Sequence, residues 1–179
     1  MLKYRPAVPS DVQMIIDLHV SMSRSTYAHI LPEAYLKDVL PAEKRDLWEK
    51  RCAVLPSPDH LINVACDAAE IAGFCCFVFN EEKEFGTYLH NLYVSPSLQG
   101  RGVAKALLRE ALSVFDPQRK DLPIHLVAFA KNMKATAVYE RLGGVVIERN
   151  EVTRSGNPAV ELVRYQWPTA HDLMEKLSA

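Results

Sequence analysis

A surplus of charge is the first thing this sequence lacks. Its 21 Lys and Arg face 22 Asp and Glu, a net charge of -1 at pH 7. No basic excess is present to hold nucleic acid. A small anionic ligand is not excluded, because backbone N–H groups can bind one without net charge. A zinc spacing is also missing: Cys52, Cys66, Cys75 and Cys76 match none. Cys75 and Cys76 are adjacent in an apolar run, so they point to opposite faces of a strand. Four reduced thiols are expected, and no metal. No apolar run approaches the ~20 residues that span a membrane, and residues 1–6 carry no apolar core of a signal peptide. The expected location is the cytoplasm, with no membrane partner. Repeats, low-complexity tracts and long linkers are lacking too. The 179 residues therefore read as a single domain over residues 1–179. That length can bury a core without a metal or disulfide staple.

What is present is a change of hydrophobic period along the chain. Residues 2–5 read as a short strand. Ser10 can cap a helix in which Val12, Ile15, Ile16 and His19 share a face, and Pro32 and Pro41 each sit where a further helix can begin. Residues 60–66, 71–79 and 87–94 are β-rich runs. Residues 100–115 follow as a helix with Val103, Ala106, Leu107, Ala111 and Leu112 on one face. Residues 123–130 read as a strand, and 132–142 as a helix closed by Gly143 and Gly144. Strands 145–152 and 158–167 flank a hairpin turn at residues 154–157, and a weak helix ends the chain. Three consecutive antiparallel strands leading into crossover units imply an α/β protein with a mixed sheet and helices on both faces.

The most informative stretch is Leu92-Tyr93-Val94-Ser95-Pro96-Ser97-Leu98-Gln99-Gly100-Arg101-Gly102-Val103-Ala104-Lys105. A strand enters a turn and the turn enters a helix. Gly100 and Gly102 permit unusual dihedrals and close approach of a ligand. The first helical turn adds unpaired N–H groups and the positive end of the helix dipole, which makes a phosphate site. A Walker loop is absent. A dinucleotide fingerprint fails, because Lys105 stands where its third glycine belongs and the loop is mid-chain.

Gln99, Gly102 and Ala104 instead fill the pattern Gln/Arg-x-x-Gly-x-Gly/Ala. With the preceding Val-Ser-Pro strand end and the following amphipathic helix, this resembles the cofactor motif of the GCN5-related N-acetyltransferase (GNAT) superfamily. Asn132 and the run Tyr139-Glu140-Arg141-Leu142-Gly143 resemble the family's second motif, although Gly144 stands where a Phe is usual. The resemblance implies a mostly antiparallel sheet splayed between its fourth and fifth strands. It also implies transfer of an acetyl group from acetyl-CoA directly to a primary amine of a small molecule or peptide.

The resemblance implies roles for individual residues. Backbone N–H groups of Gly100, Arg101, Gly102, Val103, Ala104 and Lys105 would take the diphosphate, with help from the Gln99 and Arg101 side chains. Leu92, Tyr93 and Val94 would offer backbone to the pantetheine arm and the acetyl carbonyl. Asn132 would meet the pantetheine. Tyr139 lies seven residues on, ~10 Å along the helix axis, and would protonate the leaving sulfur; a phenol of pKa ~10 is protonated at pH 7. Counting back from Val94, the family's strand glutamate falls on Tyr88 here. His90, read as lying on one strand face between Tyr88 and Leu92, resembles a histidine that passes the amine's proton to water. A water chain with no dedicated base competes with that role, and Glu84 is an outside candidate. His125 reads as structural. Acceptor surfaces are expected at Tyr27, His29 and Tyr35 and at residues 149–157. Two other readings stand beside this one: a CoA-binding sensor or scaffold of the same fold, and a nucleotide-dependent enzyme, which lacks its phosphate-loop lysine. The exposed edges of the C-terminal strands suggest a homodimer.

Overall fold

Alternating inward and outward residues build a seven-stranded sheet, described in a computed structural model for residues 2–67, 70–153 and 158–178. Its strands are β1 (Lys3–Pro6), β2 (His60–Asp67), β3 (Glu70–Val78), β4 (Thr87–Val94), β5 (Ile124–Phe129), β6 (Val145–Val152) and β7 (Val160–Trp167). The spatial order is β1-β2-β3-β4-β5-β7-β6, and every neighbouring pair is antiparallel except β4–β5. The helices are α1 (Val12–Tyr27), α2 (Leu40–Ala53), α3 (Val103–Ser113), the short α4 (Pro117–Lys120), α5 (Met133–Arg141) and α6 (Ala170–Ser178). This is the mixed α/β architecture expected from the sequence. The predicted hairpin turn at 154–157 lies outside the described residues.

Each sheet face carries its own core. On one face Cys75, Phe77 and Leu89 pack with Leu107, Leu112 and Trp167 beneath α3 and α6. On the other, Ile62, Phe74 and Cys76 pack with Ile15, Ile16 and Trp48 beneath α1 and α2. Cys75 and Cys76 do face opposite ways, and all four cysteines are free. Trp48 and His19 are buried together, joined by the indole N–H donating to His19 Nδ1 at 2.9 Å. Such a partner is what a buried polar group requires.

One local reading is corrected. Asp11, not Ser10, organises the entry to α1: its carboxylate accepts from the Val8 N–H at 2.8 Å and from both terminal nitrogens of Arg5 at 2.6 and 2.9 Å. Pro41 does sit where a helix begins, as the second residue of α2. The chain passes through a π-helical turn, Tyr35–Val39, directly into α2. Proline has no N–H to give the carbonyl of residue 37; Arg24 donates to the Lys37 carbonyl at 3.2 Å and to the Leu36 carbonyl at 3.1 Å instead.

Candidate active site

The site begins with an extra residue in β4. Leu89 pairs with Phe77 and Asn91 with Cys76, so His90 has no partner on β3. This is a β-bulge, which bends its strand and re-aims side chains. Before it, β4 and β5 pair at Thr87–Ile124 and Tyr88–His125; beyond it they part. A wedge therefore opens between the fourth and fifth strands along Leu89 to Val94. The bulge also reverses the inside–outside alternation. Tyr88 joins the core under α1 and α2 while Leu92 joins the core under α3. The expectation that Tyr88, His90 and Leu92 share one strand face is thus overturned, and a count backward from Val94 across the bulge slips by one residue.

The glycine loop stands at the mouth of the wedge. After a 3-10 turn at Pro96–Leu98, Gly100 and Gly102 take φ +75° and +78°, and α3 starts at Val103 rather than at Gly100. A Cβ added to either glycine would meet nothing within 4 Å. The positive φ, not crowding, calls for glycine, and the space in front of the loop is open. The first helical bond runs from the Ala106 N–H to the Gly102 carbonyl at 3.0 Å. The N–H groups of Val103, Ala104 and Lys105 are thus the orphans of the first turn. Gln99 faces inward: its Nε2 donates to the Val94 carbonyl at 3.0 Å, while Arg101 and Lys105 are exposed. Orphan donors, open space and two flanking cations fit a diphosphate.

Two aromatic groups close the wedge from opposite faces. Above it Tyr27, from the end of α1, bonds hydroxyl to hydroxyl with Tyr93 at 3.0 Å, and its ring lies 5.0 Å from that of Phe129 on β5. Below it Tyr139 on α5 packs against the α3-side core, 5.7 Å from the Tyr165 ring. Tyr139 is still within electrostatic reach of Tyr27 and Tyr93, which the parting of β4 and β5 allows. Burial pushes the Tyr139 phenol well above its usual range, so it stays protonated. A paired C-terminal stop fixes the end of α5: the Gly143 N–H donates to the Glu140 carbonyl and the Gly144 N–H to the Tyr139 carbonyl, both at 2.9 Å. A side chain at 144 would meet the Trp167 ring at 2.8 Å; Trp167 fills the volume. Asn132 caps α5, its Oδ1 accepting from the Ala135 N–H at 3.4 Å, and stands before the helix rather than on its face.

His90 is half-buried, with Nδ1 2.7 Å from Asn91 Oδ1 and 3.2 Å from Arg51 Nη1. Burial, then the Arg51 charge, lower its pKa to about 4. It is neutral at pH 7. Arg51, in the last turn of α2, also contacts Glu81 at 4.0 Å. Its role had no sequence signal, because the pairing is tertiary. Tyr88 stacks on the buried His125 ring, centroids 4.6 Å apart, and meets the His90 ring at 5.0 Å. His125 is buried at the start of β5, with Nδ1 accepting from Arg164 Nη1 at 2.8 Å.

Arg164 also ion-pairs with Glu82 and Glu148. With Tyr88, Val127 and Leu162 these residues line a cavity of about 250 Å³. Sequence alternation on β7 puts Arg164 opposite the core residues Val163 and Tyr165, but no local pattern announced its partners. A larger, shallower cavity of about 620 Å³ between α1 and α2 shares no lining residue with this one. Of the expected acceptor surfaces, Tyr27 reaches the wedge. Tyr35 donates to Glu43 at 2.6 Å, His29 is exposed, and Arg149 pairs with Glu161 at 2.9 Å. Among the described residues no helix is long and apolar enough to cross a membrane, and no group of three or more His, Cys, Asp or Glu is placed to hold a metal.

Residues 24–144 match the model of the Acetyltransferase (GNAT) family. The chain is 28% identical over 112 residues to the uncharacterized N-acetyltransferase YuaI of Bacillus subtilis, spanning 60% of this chain and 61% of that protein. It is 28% identical over 117 residues to the L-amino acid N-acetyltransferase AaaT of Escherichia coli, spanning 64% of this chain and 71% of that one. Among solved structures it resembles the PaiA N-acetyltransferase of Thermoplasma acidophilum in complex with coenzyme A, with TM-score 0.73 and 19% identity over 90% of this chain and 98% of that one. It also resembles YncA of Salmonella typhimurium with its cofactor acetyl-CoA, with TM-score 0.67 and 14% identity over 95% and 94%.

Proposed function

The chain belongs to the acetyltransferase (GNAT) family, and on that premise we propose that it moves an acetyl group from acetyl-CoA directly to a primary amine of a small molecule or peptide. The observation that carries the proposal is the wedge between β4 and β5, with an open donor loop at its mouth and a protonated tyrosine beneath it. Acetyl-CoA would supply the acetyl group as an activated thioester. The N–H groups from Gly100 to Lys105 would bind its diphosphate, with Arg101 beside them, while Gln99 holds the loop to β4. Backbone groups of Leu92, Tyr93 and Val94 left unpaired by β5 would orient the pantetheine and the carbonyl, with Asn132 nearby.

Tyr139 would deliver its hydroxyl proton to the sulfur. His90, at a pKa of about 4, is a poor match for an ammonium of pKa ~10.4: direct transfer would be uphill by about 9 kcal/mol. That difference favours a water chain as the route for the amine's proton, with His90 ordering it at the bulge. The same difference favours the second reading, a CoA-binding sensor or scaffold. The name of the Escherichia coli relative makes amino acids one acceptor class to test, beside simple amines and peptides. Cytoplasmic location, one domain over residues 1–179 and a homodimer through the edge strand β6, where Val145, Val146 and Ile147 are exposed, complete the proposal; sedimentation tests the last.

The experiment is release of free thiol from acetyl-CoA with a panel of primary amines, run beside calorimetric titration with CoA. Amine-dependent release is expected. CoA binding with no release by any amine would establish the sensor reading, and no CoA binding would remove both.

A further inference from the structure

The cavity lined by Tyr88 and Arg164 lies at the closed end of the wedge. Tyr88 makes the last β4–β5 pair, and its ring touches that of His90. A molecule there would sit beside the bulge, on the side of the sheet away from α3. At about 250 Å³ the cavity falls below the roughly 300–1,000 Å³ of drug-sized sites, so it suits a small body or one side chain. Val127 and Leu162 give it apolar walls.

Its charges are unequal. Glu82 and Glu148 both engage Arg164, which also donates to His125. Nearby, Glu81 is matched by Arg51. Among the lining residues themselves two carboxylates thus face one guanidinium, and that guanidinium is already engaged. His125 and Tyr88 add no charge at pH 7, since burial lowers the first to about 4 and raises the second to about 12. The local balance is one negative charge. A cation entering it gains, whereas an anion meets two carboxylates around a guanidinium they already share.

We propose that this cavity receives the acceptor, and that the acceptor is a primary ammonium on an apolar stem with no carboxylate beside the amine. The inference rests on the acetyl-transfer reading above and narrows its substrate class, setting α-amino acids aside.

The test is calorimetric titration of the full chain, with and without CoA, using two pairs of compounds. 3-Methylbutylamine is set against leucine, and phenethylamine against phenylalanine; each pair differs only in the α-carboxylate. The amines are expected to bind at least about tenfold more tightly than their amino acids. Nα-acetyl-lysine methylamide carries the same ammonium on a peptide side chain: tighter binding of it than of the free amines assigns the source to a peptide and upholds the charge rule. Glu148→Gln removes one carboxylate and releases Arg164 Nε, so the preference should shrink about tenfold, a change of ratio that a merely structural role would not produce. Amino acids binding as tightly as the amines, an unchanged ratio in the variant, or no binding by any compound would each overturn the proposal. Failure of CoA alone to bind removes the acetyl-transfer reading while leaving the amine comparison readable.

Discussion

Gln99 donates from Nε2 to the Val94 carbonyl at 3.0 Å, and that bond ties the glycine loop to the end of β4. The side chain that opens the phosphate-binding pattern therefore acts inward on the loop. Gln99→Leu keeps the size and removes the donor. It should cost about 1 kcal/mol of stability and weaken CoA binding severalfold through a displaced loop. Urea unfolding and calorimetry report the two effects. Full CoA affinity in a destabilised variant would sever the link between loop position and binding.

Gly102 and Gly144 should respond to alanine in opposite ways. At Gly102 the space is open but φ is +78°, a conformation that costs an L-residue roughly 1–2 kcal/mol. Gly102→Ala should fold with a small loss of melting temperature and lose most of its CoA affinity. At Gly144 the added methyl meets the Trp167 ring at 2.8 Å. Overpacking of this kind costs roughly 1–3 kcal/mol, so Gly144→Ala should be the less stable of the two, with altered tryptophan fluorescence and near-normal CoA affinity. The reverse ranking would refute this assignment of roles.

Much of this was legible in the sequence because local physics sets it. The order of strands and helices, the opposite faces of Cys75 and Cys76, and the glycine turn before α3 all follow from period and dihedral preference. The bulge at His90 was not legible. It is a mismatch between two strands, and nothing in residues 87–94 alone marks the extra residue; the face reading of Tyr88, His90 and Leu92 failed for that reason. Arg51 and Arg164 were missed likewise, because their partners come from distant segments.

The histidines predict how stability depends on pH. His90 and His125 both stand near pKa 4 against an ordinary 6.5, first because of burial and then because of Arg51 and Arg164 respectively. As pH falls below 6.5 the unfolded chain takes up protons that the folded protein refuses until about 4. Their contribution is therefore complete above about pH 7, declines between 6.5 and 4, and levels off below that. For the fully buried His125 it is on the order of 3 kcal/mol. Urea unfolding from pH 7.5 to 4.5 should show the decline, and His125→Gln should flatten it by about one proton. A slope unchanged in that variant would contradict the cause given.

Tyr139→Phe separates chemistry from binding. The ring keeps its place against Tyr165, and α5 keeps its stop at Gly143 and Gly144. CoA affinity should therefore hold. Only the hydroxyl proton is lost, so the departing thiolate, of pKa ~8.5, must take its proton from water. General acid catalysis contributes typically 10²–10⁴-fold. Burial raises the Tyr139 phenol and makes it a weaker acid, which puts the expected fall in kcat near the lower end, about 10²-fold. The raised pKa also means that no alkaline limb from this phenol should appear in the wild-type kcat profile up to about pH 10. Steady-state thiol release from pH 6 to 10, with calorimetry of CoA on both proteins, measures all three quantities. Unchanged turnover in the variant would remove Tyr139 from the mechanism, and a matching loss of CoA affinity would make it a binding residue instead.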